Sequence, residues 1–480
     1  MRFFILLVLI VAFRFLKVIA QNVGIGTSTP MEKLHVEGNI LMDTAKVTAI
    51  QLAPNAGAGK ILTSDLTGNA SWENLVIAPP SNYNGNVGYG VWGDCTINGN
   101  ISEYQPITDP SPFYNERFGY SVSLSGDYAV IGAYKDSTFI PGQGSASVFA
   151  FNGVSWEFLQ KLTDPEPDST DQFGYCVSIS GDFIIIGSPS DNATFANQGS
   201  VCFFEFNGTS WNFMEKIYQA GAFTGNRFGE SVFISGERAI VGAPFTNAAQ
   251  GAASIYQFDG THWQIMNQVA ETFGSSADYF GTSVGISGDM AVVGVKGDDI
   301  GNQEDAGSAI VYQYNGTNWT FMQKLTIYGA KAFDSFGSAV AISGNNLLIG
   351  IPLIDYEFQD QGAAVMYSFN GSDWEGLQGF TQPHSNLSAA FGTSVYLSGQ
   401  FAMVGSPFHI RSGGTLRSGS ADLYQKIGLG WQNMQTVFDP DIETNEFGYS
   451  VSLDSDTRRF IIGAFGYILI SGKVVFGKVN

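Results

Sequence analysis

Residues 172–217 read QFGYCVSISGDFIIIGSPSDNATFANQGSVCFFEFNGTSWNFMEKI, and this stretch returns with variations along the chain. Its leading Phe-Gly pair begins at Phe118, Phe173, Phe228, Phe280, Phe336, Phe391 and Phe447, at intervals of 55, 55, 52, 56, 55 and 56 residues. A steady period of this size marks a repeat architecture, in which each unit buries its faces only against its neighbours. One unit divides into four short runs. Tyr120–Ser125 (YSVSLS) follows the first Phe-Gly, and a Ser-Gly-Asp turn leads to Tyr128–Ala133 (YAVIGA). A loop of variable length then leads to Ser145–Phe151 (SASVFAF), and an Asn-Gly turn to a run opening on Trp156. The corresponding turns are Asn152-Gly153, Asn207-Gly208, Asp259-Gly260, Asn315-Gly316 and Asn370-Gly371. Such dipeptides accept positive φ and suit two-residue hairpins. Helical periodicity is absent.

Four antiparallel strands in each of seven units predict an all-β fold, a seven-bladed β-propeller. The second runs, such as FIIIG and LLIGI, are apolar nearly throughout, as strands covered on both faces should be. The seventh unit ends at GKVVFGKVN and has no fourth strand. The missing strand lies ahead of the first unit, where Gln105-Pro106-Ile107-Thr108-Asp109-Pro110 mirrors Gln160-Lys161-Leu162-Thr163-Asp164-Pro165. Residues 104–108 are therefore expected to complete the last blade and close the ring. Pro106 is tolerable there because a fourth strand is an outer edge.

The pattern FG-x-SV…IVGAP, followed by a Gly-rich third strand, resembles the FG-GAP repeat of integrin α-subunit propellers, over residues 104–480. Gly242-Ala243-Pro244 keeps the GAP triplet, and Gly187-Ser188-Pro189 and Gly405-Ser406-Pro407 are close variants. The resemblance implies the fold, and for many members a calcium loop Asp-x-Asp-x-Asp-Gly between strands one and two. Here that loop has shrunk to Ser125-Gly126-Asp127, Ser180-Gly181-Asp182 or Ser287-Gly288-Asp289, and only Leu453-Asp454-Ser455-Asp456 keeps two acids. Calcium wants six to eight oxygens, so no cofactor is expected and the family's calcium sites are expected to be absent. The closer match is a short-loop bacterial variety, in which these Asp residues are turn formers.

The remaining segments differ in kind. Arg2 precedes the apolar run Phe3–Phe13, and Val18 and Ala20 are small residues of the type read by a signal peptidase. Residues 1–20 are expected to be a signal peptide, with an uncleaved anchor as the alternative; after cleavage no membrane span remains. Residues 21–75 contain NVGIGTSTPMEKLHVEGNI and GAGKILTSDLTGNASW. These resemble the N-terminal motif of Bacteroidetes-type surface proteins and fibre-like stalks. Two readings stand, a homotrimerising fibre segment and an extended linker. Residues 76–103, with Pro79-Pro80 and repeated Asn and Gly, read as a linker to the propeller at 104–480.

The chain carries 22 Lys and Arg against 43 Asp and Glu, a net charge of −21. That balance argues against nucleic acid, whose phosphates need clustered bases. Three cysteines (Cys95, Cys176, Cys202) form no disulfide framework or metal spacing, and the four histidines (His35, His262, His384, His409) form no metal-ligand pattern. No nucleophile elbow or phosphate loop occurs. Some propellers are glycosidases working through two acids. Here the acids Asp298, Asp299, Glu304 and Asp305 cluster in one loop and Asp355, Glu357 and Asp360 in another. The solvated-surface reading is preferred for both, with the first group a weak cation candidate.

In a blade of this connectivity, the loops between strands two and three share a face with the connectors between blades. These loops vary most, and variable loops on a rigid scaffold are where recognition sits. They place Tyr134, Lys135, Phe195, Phe245, Tyr356, Phe358, Phe408, His409 and Arg411 on a candidate rim for an extracellular protein or glycan. The expectation is a secreted or surface-attached, non-enzymatic binding or adhesion protein. The alternatives are a carbohydrate-active enzyme on the same scaffold and a passive knob on a fibre.

Overall fold

The computed structural model describes residues 23–25, 34–36, 60–64, 70–74, 102–138, 140–272, 274–382, 388–410, 417–439, 446–466 and 472–479. The expected signal peptide and most of the expected linker lie outside them, as do Arg411, Cys95 and His384. The chain divides into two compact units, residues 1–88 and 89–480. In the first, Val23–Ile25 pairs in parallel with Leu34–Val36, and Lys60–Ser64 forms an antiparallel hairpin with Ala70–Asn74.

The second unit is the propeller. Seven four-stranded antiparallel sheets follow one another, six of them with their strands in chain order from the axis outward. Blade 1 comprises Ser121–Ser125, Tyr128–Ala133, Ser145–Phe151 and Trp156–Leu162, and blades 2 to 6 repeat this plan. Blade 7 takes Ser450–Asp454, Arg459–Ala464 and Lys473–Lys478 from the end of the chain and Ser102–Ile107 from before the first repeat. That last pairing is antiparallel, with Ile107 opposite Val474 and Gln105 opposite Phe476. The closing strand expected at 104–108 is thus present, starting two residues earlier. Pro106 stands opposite Val475 on the outermost strand, whose other edge carries no partner strand among the described residues.

Each Phe-Gly phenylalanine is fully buried and wedges between two blades. Phe280, for example, packs among Ile240, Ala253 and Ile255 of blade 3 and Val284, Ile286 and Ala291 of blade 4. The tryptophan near the start of the fourth strand in blades 1 to 6 also turns into a junction. Trp156 stacks on Phe476 of blade 7 at 4.4 Å between centroids, and Trp263 on Phe203 of blade 2 at 4.6 Å. Buried aromatic area of this kind adds to the aliphatic packing that fills each junction.

Close approach of backbones sets the junction width. Gly174, with φ +85°, directs its carbonyl against the Cα of Gly132 in the preceding blade, where any Cβ would collide with it. The same pairing of a second-strand glycine with the next Phe-Gly glycine recurs round the ring, through to Gly463 against Gly119. Only glycine permits both the positive φ and the contact.

Two polar seams complete each junction. Near the axis, alternate serines of the first strands bond to the next blade. Ser121, Ser231, Ser283, Ser394 and Ser450 donate to the Phe-Gly carbonyls of Gly174, Gly281, Gly337, Gly448 and Gly119 at 2.8–2.9 Å. Two residues on, Ser123, Ser178 and Ser452 accept the amides of Ile179, Ile234 and Leu124 at 3.0–3.1 Å. At the turn, Ser125, Ser180, Ser287 and Ser343 accept the amides of Gly181, Gly236, Gly344 and Gly399 at 2.9–3.2 Å. The adjoining Asp127 faces solvent and reaches Arg459 of blade 7 at 2.5 Å, so it serves a junction rather than its own turn.

At the rim, a glutamine in one fourth strand clamps the tryptophan backbone of the next. Gln160 donates Nε2–H to the Trp211 carbonyl at 2.9 Å and accepts the Trp211 amide at 2.9 Å. Gln105, Gln323 and Gln378 repeat both bonds with Trp156, Trp374 and Trp431. In blades 2 and 3, Glu215 and Asn267 accept only the amide.

Deleting residues 102–107 removes an entire edge strand and half a clamp, so a sharp fall in melting temperature is expected by calorimetry. An unchanged melt would overturn strand closure. Gln160→Ala strands a carbonyl and an amide at a junction and should cost about 1–3 kcal/mol in denaturant unfolding.

Candidate functional site

The antiparallel blade places the loops after second strands and the connectors into first strands on one face, and the short serine and Asn-Gly turns on the other. The axial channel between them is closed at mid-height by Phe233 of blade 3 and Tyr396 of blade 6, whose rings face each other across the axis at 6.4 Å. Below this plug, a cup of about 180 Å³ opens on the turn face, where the first strands' apolar residues alternate with six serines and one carboxylate, Asp454. Asp454 accepts the Gly126 amide at 2.9 Å and the Thr457 amide and hydroxyl at 2.7 and 2.9 Å. Burial opposes its ionisation, but these bonds outweigh burial and hold its pKa below the usual value. Both oxygens are engaged in turn structure.

The loop-face mouth is asymmetric. The residue after each Phe-Gly is Tyr120, Tyr175, Glu230, Thr282, Ser338, Thr393 and Tyr449 in chain order. Bulky rings therefore crowd blades 7, 1 and 2, and small hydroxyls surround the other side. Tyr120 packs against Tyr175 and Tyr449, each at 5.0 Å, and against Tyr134 at 4.5 Å. The Tyr449 hydroxyl bonds that of Tyr120 at 3.2 Å. Burial, with its tyrosine neighbours adding, pushes the Tyr120 phenol far up, so it stays neutral. Arg117 lies over the Phe465 ring at 4.9 Å, and Arg227 pairs with Glu230 at 2.5 Å while lying over Tyr175 and Phe245.

The rim residues anticipated from sequence do not form one site. Tyr134 and Lys135 come together, half-buried, in a pocket of about 280 Å³ between blades 1 and 2, with Tyr114, Asn115, Thr170 and Gln172. Phe195 faces Phe223 at 6.3 Å on blade 2, and Phe245 meets Tyr279 at 5.4 Å. Tyr356 and Phe358 are exposed on blade 5, and Phe408 is half-buried on blade 6. His409 corrects the expectation of an exposed rim residue. It is buried, its ring 5.6 Å from Phe438 and its Nδ1 3.0 Å from both Gln382 Nε2 and Ser420 Oγ. Its place in the loop turns it inward into a junction. The pocket residues Tyr114 and Gln172 and the axial tyrosines were not singled out in the sequence. Aligning the seven units on Phe-Gly would have shown the tyrosines, because the following position is aromatic in three of the seven units.

The loop acids also divide. Asp299 and Glu304 are exposed, and Asp299 accepts the Asp305 amide at 3.0 Å. Asp298 is buried, contrary to a solvated reading, because Lys324 reaches it at 2.5 Å and Glu271 at 2.7 Å. This is one of three like sockets. Lys161 binds Asp109 at 3.2 Å and Asp136 at 2.6 Å, and Lys216 binds Asp164 at 2.9 Å and Asp191 at 2.5 Å. A third carboxyl, two residues before the Phe-Gly, faces each socket: Glu116, Asp171 and Asp278. Glu116 is raised to about 8, by burial first and then by Asp109 and Asp136; Asp171 and Asp278 are raised to about 6, also chiefly by burial. Burial likewise opposes ionisation of Asp136, but Lys161, Thr138 and Ser145 outweigh it and hold it low. The lysine ammonium already supplies the cation that these acids face.

Five segments, residues 104–151, 156–204, 211–256, 272–312 and 319–367, match the FG-GAP repeat family. No curated protein matches the chain. Among solved structures, a chain of a mitotic checkpoint complex is similar at 11% identity and TM-score 0.49, covering 83% of this chain and 100% of that one. The Saccharomyces cerevisiae protein Sqt1 is similar at 10% identity and TM-score 0.44, covering 80% of this chain and 100% of that one.

A carboxyl whose folded pKa is raised binds its proton more tightly in the folded state. The stabilisation contributed by Glu116, Asp171 and Asp278 is therefore complete below about pH 4. It is lost as pH rises through about 6 for Asp171 and Asp278 and about 8 for Glu116. Melting temperature should accordingly fall from pH 5 to pH 9, and Glu116→Gln should flatten the upper part of that fall. An unaltered pH profile in the variant would contradict the assignment.

Proposed function

Because the chain is built on FG-GAP repeats, we propose that it is a non-enzymatic binding protein, secreted or held at a cell surface, that contacts protein or glycan ligands through its loop face. The observation that carries this reading is the contrast between the two faces. The turn face repeats the same short serine and Asn-Gly turns, and its axial cup holds a single carboxylate committed to a turn. The loop face differs from blade to blade and presents a pocket with two tyrosines and a lysine, together with exposed Phe195, Tyr356 and Phe358. Preformed concavity with a few convergent polar groups is the usual form of a ligand site.

A second carboxylate beside a substrate would be needed for glycoside hydrolysis. In the loop-face pocket none lines the wall among the described residues. No helix of the described residues is long and apolar enough to cross a membrane.

The test is binding of the mature protein to glycan arrays and to cell surfaces. Joint substitution of Phe195, Lys135 and Tyr356 by alanine should lower binding about tenfold or more, about 1.4 kcal/mol. Substituting the exposed turn-face residues Val154 and Leu429 should leave it unchanged. Equal loss from both faces, or loss only from the turn face, overturns the reading.

A further inference from the structure

We propose that the pocket between blades 1 and 2 is a subsite for a carboxylated saccharide, with Tyr114 and Tyr134 as ring platforms and Lys135 as the partner of the carboxylate. The inference rests on the loop-face binding reading and specifies its ligand class.

Lys135 is the first observation. In a chain with 43 acids to 22 bases, the lysines at the junctions are taken up: Lys161, Lys216, Lys324 and Lys473 all hold carboxylates. Lys135 makes no ion pair among the described residues, although Asp136 is its chain neighbour. The reason is geometric, since Asp136 turns inward to Lys161 and the hydroxyls of Thr138 and Ser145. Lys135 instead holds its ammonium 5.5 Å from the centre of the Tyr134 ring. A cation beside an aromatic face, with no acid of its own, suits a ligand that brings both an apolar ring face and a negative charge.

The second observation is that the walls are preformed. Tyr134 is braced on its far side by Tyr120 at 4.5 Å and Tyr175 at 5.4 Å. Both rims are pinned by backbone bonds. Lys135 N donates to Glu116 O at 3.1 Å, Thr170 N to Pro141 O at 2.9 Å, and Gln172 N to Gly142 O at 3.2 Å. Asn115, Thr170 and Gln172 sit at φ of 60°, 70° and 64°. The residue directly before each Phe-Gly takes this left-handed conformation, as does the third residue before the phenylalanine wherever it is described, so these values belong to the scaffold and fix the pocket before a ligand arrives. Little ordering entropy then remains to be lost on binding.

Size and chemistry select the occupant. A volume of about 280 Å³ lies at the small end of ligand pockets and admits one or two ring units rather than a folded protein surface. Asn115 offers an amide that both donates and accepts, and Gln172, whose Oε1 accepts the Ser190 hydroxyl at 2.9 Å, offers its Nε2–H donors, as hydroxyl-bearing rings require. Repulsion from distant acids is screened beyond about 8 Å at physiological ionic strength, so the adjacent lysine governs the carboxylate.

The experiment is calorimetric titration of the mature protein with hexuronate and nonulosonate oligosaccharides, each beside its methyl ester. Free acids are expected to bind at least tenfold more tightly than esters. Lys135→Met should remove that difference while leaving ester binding unchanged, and Tyr114→Ala should weaken both. Unaltered melting temperatures confirm that the variants fold. If acids and esters bind alike, or Lys135→Met changes neither, the subsite is refuted. If no saccharide binds while loop-face substitutions still abolish attachment to a cell surface, the subsite fails and the loop-face reading stands. If attachment survives both sets of variants, the two fail together.

Discussion

The approach of one blade's backbone to the next is limited by a single atom, the Cβ that glycine lacks. Gly132 and Gly174 meet because neither carries one, and the same is true at Gly187 with Gly229 and at Gly463 with Gly119. That contact brings first strands near enough for a seryl hydroxyl of one blade to reach the backbone of the next. It also brings the Phe-Gly phenylalanine into a slot with no room for water. The order of causes runs from glycine to distance, and from distance to both the polar and the apolar seams. A larger residue at either glycine would open both seams.

The seams differ in tolerance. Where the upper serine tier is interrupted, the substitutes are Cys176 and Ala339, small enough to leave the spacing intact. In the middle tier Phe233, Gly285, Ala341 and Tyr396 replace serine, and two of these use the freed space to plug the axis. A single hydrogen bond contributes only about 1 kcal/mol net, so losing a few from a ring of many is affordable. The glycine contact has no such substitute, since a clash cannot be shared among neighbours in a close-packed junction.

The ring was legible in the sequence because its determinants are local and periodic. The Phe-Gly spacing, the Asn-Gly turns and the mirrored Gln105–Pro110 segment each report a backbone event within a few residues. The serine and glutamine seams were visible as letters but not as interactions. Their partners stand more than 50 residues away, as with Gln160 and Trp211, and nothing in a strand pattern says which blade a side chain faces. The same limit misplaced His409 and Asp298. Both occupy loops that vary, yet each is the first position where the loop turns back into a junction. Tyr134 and Lys135 lie in a variable loop after a second strand, whereas Tyr114 and Gln172 reach the pocket from the connectors into blades 1 and 2.

The junction sockets show which variation is structural. In blades 1, 2 and 4 a lysine from the fourth strand faces carboxylates. In blade 3 the same place holds Gln219, Asn226 and Thr246, joined at 3.0 and 3.3 Å. In blade 6, Thr436 takes the lysine's place, and Asp422 comes from the third strand with Gln382 and Asn433 as donors. Three chemistries satisfy one requirement, that polar groups displaced into a junction find partners. A position that accepts charged, neutral and inverted solutions constrains stability and leaves recognition free. The mouth residues obey the opposite logic: Tyr120, Tyr175 and Tyr449 stack on one side of the axis and nothing in the repeat demands them. Rings gathered there, with Tyr134 leaning on them, stiffen the wall of the pocket that holds Lys135. Divergence that costs the ring nothing is where this scaffold can hold a ligand, and blades 7, 1 and 2 are where that divergence has become organised.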